Sequence, residues 1–366
     1  MGVNLTKQNR NNLYKQNKNG MFYPTEYAIE TVFGCNAKCV MCFINNPTSR
    51  KKTVMKMDLF KFCIDEMVPY IDYIEKFDLW ALGEPTIDPH LIERIRYARD
   101  KGYRKMAIAS NLERLKPKLG KELLDTGIET IIFSIDAVNA ETSEKIRYGL
   151  DFDKIMSNAN ALVDLRNSGN YKTRFIVRFI YQPGVNDHEW EPFKNYWQSK
   201  VDRLKGDDVY SYNEHNWGGY EFTTAKKYSP DKTFDSSTTI QKQLDYKKKL
   251  LNKNYSEEIE RVPCHYVFES LIILADGTLS LCPPDFLEAQ FITAKVPDQT
   301  PIEAFNSLAY KRMREIHLNE SKNNIELCRK CTVLYSNVSR DWAWFESTNT
   351  LTEREDDKKY FKPKTN

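Results

Sequence analysis

No stretch of this chain is apolar for long enough to span a membrane, and its Asn- and Lys-rich first 20 residues carry no apolar run behind a basic start. These absences speak against a membrane protein and against a secretory signal, so a cytoplasmic location is expected. A basic excess is also lacking: 54 Lys and Arg against 51 Asp and Glu leave a net charge of only +3. A strongly nucleic-acid-binding domain would show more, so neither nucleic acid nor membrane is an expected partner. Nor is there any internal repeat beyond an alternation of strand and helix signals. What the chain does have is length, apolar content and cysteine. Its 366 residues, 41% of them apolar, allow one domain of about 200–250 residues plus a smaller one. Its eight cysteines need an explanation other than disulfides, because clustered thiols in a reducing compartment are more often metal ligands.

The alternation sets the fold class. Strands are expected at 27–33, 77–82, 105–110, 130–136, 174–181 and 208–212, and helices at 57–71, 89–101, 116–126, 152–167 and 187–200. The strands read as near-continuous apolar runs, as buried parallel strands do. Six strand–helix units make an α/β protein with a partial (β/α)6 barrel, whose chemistry belongs at the C-terminal ends of the strands. Beyond it the pattern changes. The expected division is a flexible arm at 1–24, the barrel at 25–225, a charged insertion at 226–261, a small cysteine-bearing domain at 262–345 and a charged tail at 346–366. The Lys247-Lys248-Lys249 run in the insertion reads as a solvated face.

Cys35, Cys39 and Cys42 fall within eight residues, immediately after the first strand. Three thiolates on one tight loop can each hold one iron of a [4Fe-4S] cubane, leaving the fourth iron without a protein ligand. A zinc site would want a fourth ligand close by, and Cys63 lies in a helical apolar stripe that reads as core. The remaining cysteines are Cys264, Cys282, Cys328 and Cys331. A hairpin turning at Asp276-Gly277 would bring the first two to neighbouring positions. Four thiolates suit zinc or a [4Fe-4S] cluster, and spacing alone does not choose between them.

The Cys35-x3-Cys39-x2-Cys42 loop resembles that of the radical SAM superfamily, and the later four cysteines resemble its C-terminal twitch/SPASM extension. The resemblance implies two [4Fe-4S] clusters and S-adenosylmethionine (SAM) as cofactors. SAM would chelate the open iron, and one electron would cleave it to a 5′-deoxyadenosyl radical. The resemblance also implies cofactor contacts from Gly83 and Glu84 after the second strand, Ser110 and Asn111 after the third, Ser134 and Asp136 after the fourth, and Arg178 in the fifth. Met41 and Phe43 would lie near the adenine. Only one glycine precedes Glu84, where the family carries a pair. No cysteine follows Cys331, which implies one auxiliary cluster where full SPASM domains hold two.

A fully ligated auxiliary cluster suits electron transfer. The expected function is therefore oxidation of a polar small molecule, such as a sugar or aminocyclitol, with electron transfer to that cluster. A flavodoxin- or ferredoxin-type donor would start the reaction. Arg178, Glu214 and His215 are the candidates for the catalytic base, and 213–219 is a candidate substrate loop. Peptide modification is the alternative; the short arm lowers it, because about 25 residues do not fold alone. A redox-neutral epimerase or rearrangement enzyme is a further alternative, but the one spare thiol for hydrogen donation is Cys63.

Overall fold

The computed structural model describes residues 20–182, 184–214, 217–218, 264–319 and 322–331. The expected insertion at 226–261, the tail at 346–366, most of the arm and His215 lie outside the described residues. The strands are β1 (Glu26–Ile29), β2 (Val32–Phe33), β3 (Thr53–Val54), β4 (Lys76–Asp78), β5 (Met106–Ser110), β6 (Thr130–Ser134), β7 (Arg174–Tyr181), β8 (Asp208–Asn213), β9 (Ser270–Ile273) and β10 (Leu279–Ser280). One eight-stranded sheet runs β10-β9-β1-β4-β5-β6-β7-β8. All its pairings are parallel except the hairpin pair β9–β10. Helices α1 (Met57–Met67), α2 (Leu91–Asp100), α3 (Pro117–Asp125), α4 (Ala140–Ile146), α5 (Phe152–Ser168) and α6 (Trp190–Gln198) connect its strands. This is the partial (β/α)6 barrel, open between its two edge strands.

Every residue of β5 and β6 is buried, which is why both read as unbroken apolar runs. The first expected strand is split in two. After Ile29 the chain leaves the sheet, and Val32–Phe33 pairs instead with Thr53–Val54. The second expected strand is also shorter, because the backbone bends after Asp78 toward Gly83. Cys63 is fully buried on α1, and its carbonyl accepts a hydrogen bond from Tyr27 Oη at 3.0 Å. It is a core residue, as its stripe position implies.

The C-terminal region adds helices α7 (Tyr266–Glu269), α8 (Pro301–Phe305), α9 (Leu308–Leu318) and α10 (Glu326–Lys330). Its hairpin turns at Asp276-Gly277, with Leu279 opposite Ile273. Gly277 sits at φ +87°, and an added Cβ would meet Val296 O at 2.3 Å, so both the turn and its neighbour require glycine. The hairpin does more than bring two cysteines together: β9 pairs in parallel with β1 and extends the barrel sheet. A buried latch reinforces that joint. Glu30 pairs with Arg50 and accepts from Ala275 N at 3.0 Å. Arg50 also bonds the Phe286 carbonyl, and Thr48 bonds that of Leu287. The arm, expected to run loose to residue 24, is docked from Phe22, which is buried on Phe268 and exchanges hydrogen bonds with Asn306. Two aromatic side chains, Phe22 and Tyr23, gain more by burial there than the arm's polar residues would.

At the N-terminal end of the sheet, burial, with Glu26 and Glu75 nearby, pushes the Glu269 carboxyl up to about 7. The folded chain keeps this proton to about pH 7, whereas an ordinary glutamate loses it near 4.5. The stability this proton contributes is therefore full below pH 4.5 and lost as pH rises through 7. Glu269→Gln should flatten the profile of unfolding free energy across that window and leave the protein more stable than wild type at pH 8. Denaturant titrations at several pH values check this; parallel profiles would show that the carboxyl is not held protonated.

Candidate functional site

The three N-terminal cysteines lie on the loop that leaves β2, at the C-terminal end of the sheet. Cys39 is buried, and Cys35 and Cys42 are half-buried. The loop is shaped by its own backbone: Cys42 N donates to Cys39 O at 3.1 Å. It is anchored from outside, where Lys38 N and Val40 N donate to Tyr148 O and Ile146 O, both at 2.9 Å. Burial pushes all three thiols up, Cys42 to about 12. The thiols also act on one another: Cys39 raises both Cys35 and Cys42.

The segment after β4 packs directly on this loop. Glu84 N donates to Gly34 O at 2.8 Å, and a Cβ on Gly83 would meet Val32 O at 2.0 Å and Gly34 O at 2.8 Å. The single glycine before Glu84 is thus the one the close approach requires. Glu84 is buried, and its carboxylate is taken up by protein. Oε1 accepts from Thr86 N and Oγ1 and from Ser110 Oγ, and Oε2 accepts from Asn111 N at 2.8 Å. Asn111 Nδ2 in turn donates to Asn36 Oδ1 at 2.9 Å. Gly83, Glu84, Ser110 and Asn111 therefore form one network beneath the cysteine loop. Burial pushes the Glu84 carboxyl up, and its hydrogen bonds oppose that rise.

Ser134 and Arg178 stand opposite each other in register on β6 and β7, and Arg178 Nη2 donates to Ser134 Oγ. Arg178 Nε has no hydrogen-bond partner in the described structure, and the guanidinium lies 6.0 Å from the Tyr212 ring centroid. Asp136 is placed differently. It is fully buried at φ +64°, pairs with Arg147 and accepts from Ile180 N at 2.8 Å. Arg147 Nη1 lies 3.7 Å from Cys39 Sγ. Sequence reasoning missed this arginine, which follows α4 with no motif around it; its charge counters the rise that burial gives the Cys39 thiol. Phe43 is fully buried with its ring centroid 5.1 Å from that of Trp217, and Met41 O accepts from Trp217 Nε1 at 3.2 Å. The candidate substrate loop thus touches the cysteine loop. Glu214 is buried just past the C-terminal end of β8.

The second set converges. Cys264, Cys282, Cys328 and Cys331 line one cavity, together with Tyr266, Pro284, His317, Lys322 and Leu327. Cys264 precedes α7, Cys282 follows β10, and the last two come from α10 and its C-cap. Burial pushes the Cys264, Cys282 and Cys328 thiols up, the last to about 12. Both sets fit iron–sulfur clusters by their donor chemistry. Buried, mutually repelling thiols are poor places for bare thiolates, but a cation among them inverts that preference. Among the described residues no three metal-ligating side chains converge as they would on a single ion. A cubane needs no such convergence, because each thiolate binds a different iron.

A parallel partial barrel with a three-thiol loop at its strand ends, followed by a four-thiol cradle, suits a protein with two cysteine-ligated metal centres. The family comparisons agree with it. The model of the radical SAM superfamily matches residues 29–196, and that of the SPASM iron–sulfur cluster-binding domain matches 264–332. Residues 29–196 thus match a radical SAM domain and residues 264–332 a C-terminal SPASM-type domain. SAM and two [4Fe-4S] clusters are the cofactors these two domains imply.

Among curated relatives, the AdoMet-dependent heme synthase of Methanosarcina barkeri is 32% identical over 34% of this chain and 34% of its own. A cofactor-modifying protein for tungsten-containing aldehyde ferredoxin oxidoreductase, from Pyrococcus furiosus, is 28% identical over 35% of this chain and 36% of its own. A UPF0026 protein of Helicobacter pylori is 27% identical over 42% of this chain and 50% of its own. The chain thus spans half or less of the length of these relatives. Among solved structures, SuiB of Streptococcus suis bound to its precursor peptide SuiA matches 90% of this chain and 74% of its own, with TM-score 0.59 and 14% identity. BtrN in complex with AdoMet and 2-DOIA matches 84% and 92%, with TM-score 0.50 and 13% identity. Identities this low show a shared fold. Among the described residues no helix is long and apolar enough to cross a membrane.

The Arg147–Asp136 pair yields a test of how the loop is supported. Arg147→Met strands a fully buried carboxylate and should cost about 3–5 kcal/mol in unfolding free energy. Adding Asp136→Asn removes the stranded charge and should recover a large part of that loss. Denaturant titration of the two variants checks it; a loss below about 1 kcal/mol, the level of an exposed pair, would mean that the pair does not hold the loop.

Proposed function

We propose that this radical SAM enzyme oxidises a polar small molecule, such as a sugar or aminocyclitol, by two electrons, with one electron passing to a single auxiliary cluster. The observation that carries this reading is the second cradle: the four cysteines after the barrel line one cavity. A cluster bound by all four has no iron left for substrate, so electron transfer suits it better than substrate binding.

In this reading Cys35, Cys39 and Cys42 hold the first cluster. When bound with SAM, it supplies a 5′-deoxyadenosyl radical by one-electron reductive cleavage, the electron coming from a flavodoxin- or ferredoxin-type donor. Half-buried Arg178, seated on Ser134 and with Nε unpartnered among the described residues, is the strand-end group assigned to SAM, and its charge suits the SAM carboxylate. Glu84, Asn111 and Asp136, expected as direct contacts, are engaged within the protein; we assign them to fixing the cysteine loop and the ledge beside it. Gly83 and Ser110 share that task, and Met41 and Phe43 back the loop with apolar packing. The substrate carbon gives up a hydrogen atom, which ends in 5′-deoxyadenosine. It then loses a proton and an electron to become a carbonyl. A guanidinium is a poor base, so Glu214 is the proposed proton acceptor.

Peptide modification is the second reading, favoured by the likeness to SuiB bound to its precursor peptide. One experiment separates an electron-accepting cluster from a structural one. Replacing Cys328 and Cys331 by Ala should remove about half the iron and leave 5′-deoxyadenosine formation near the wild-type level, while oxidised product is lost. Both products are measured side by side on candidate aminocyclitols and sugars. Stoichiometric product from that variant would make the second cluster structural and favour a redox-neutral reaction.

A further inference from the structure

The auxiliary cradle also contains a buried histidine. His317 lies on the buried stripe of α9, with Tyr310, Met313 and Arg314, and is 1% exposed. Its ring spans two of the four cysteines. Cys264 N donates to Nδ1 at 3.3 Å, and Nε2 lies 3.8 Å from Cys328 Sγ. A backbone N–H can donate only to an unprotonated ring nitrogen, so the ring is neutral with its single proton on Nε2. That proton is on the nitrogen beside the sulfur.

We infer that His317 is a positioning residue for the auxiliary cluster: held in one tautomer by the Cys264 backbone, it donates an Nε2–H hydrogen bond to the Cys328 thiolate and raises the reduction potential of the cluster. The inference rests on the proposal that Cys264, Cys282, Cys328 and Cys331 hold that cluster. Hydrogen bonds to ligand sulfur stabilise the more negative, reduced state and are an established determinant of cluster potential. Lys322 lines the same cavity and is buried, so its positive charge acts in the same direction. An electron acceptor gains from both. A purely structural cluster needs neither.

The test uses the full chain with Cys35, Cys39 and Cys42 all replaced by Ala, reconstituted anaerobically so that only the second cradle can hold iron. About four irons per chain are expected; no iron would sink the four-cysteine proposal itself, separately from the role of His317. EPR-monitored redox titration then compares three changes at this position. His317→Leu should shift the reduction equilibrium about tenfold toward the oxidised state, about 59 mV lower for a one-electron couple. His317→Gln, whose amide reaches the Nε2 position, should restore most of the potential. His317→Asn, which reaches only the Nδ1 position, should not. Equal potentials in iron-replete variants would overturn the inference. Because a variant can fail to load iron, the same parent chain labelled with 15N-histidine is also examined by pulsed EPR. A 15N hyperfine coupling to the reduced cluster supports the hydrogen bond, and its absence overturns it.

Discussion

Three loops at the C-terminal end of the sheet meet at one buried carboxylate. Glu84 accepts hydrogen bonds from its own loop and from the residues that end β5, while its backbone N–H reaches Gly34 beside the first cysteine. The approach is possible because Gly83 has no side chain to strike the Val32 carbonyl. A desolvated carboxylate is costly unless its lone pairs are filled, and here donors from its own loop and from the end of β5 fill them. The cysteine loop therefore rests on a support that exists only once β1, β4 and β5 are paired in register. Arg147 completes it from the other side, joining Cys39 to Asp136 at the end of β6.

The periodic parts of this architecture were legible in the sequence. The strand expected at 174–181 is β7, residue for residue. The helix expected at 152–167 is α5 to within a residue, because both carry long, uninterrupted patterns. The four later cysteines line one cavity, and the Asp-Gly dipeptide located the hairpin. What the sequence concealed depends on partners distant in the chain. Nothing local says that β9 will pair with β1, since a short apolar strand carries no address. Nothing around Arg147 or His317 marks them: one follows a short helix, and the other occupies an ordinary stripe position 11 residues before the cysteine it meets. Glu84 and Asp136 lie beside the cysteine loop, and their polar groups are engaged within the protein. A polar residue at a strand end is as useful for fixing a loop as for holding a ligand, and only its hydrogen-bond partners tell the two apart.

The two cradles are mechanically coupled. The loop that follows the first cysteines is latched through Thr48, Arg50 and Glu30 to backbone at 275, 286 and 287, while β9 continues the barrel sheet. Trp217 and Gly218 add a contact on the opposite flank: the indole meets Met41 and Phe43, and Gly218 packs on Leu327 beside the second cradle. Such ties fix the separation of two redox centres, as an electron path between them would require. They also explain why the C-terminal region contributes to the sheet rather than hanging from it as an appendage.

The central claim is that one centre has an iron open to SAM and the other has none. EPR of the reduced, fully reconstituted chain, recorded with and without SAM, tests it most directly. Half of the cluster signal should change on SAM addition, and the other half should keep its line shape. A spectrum in which both centres respond, or neither does, would contradict the assignment of an open and a closed cluster to these two cradles.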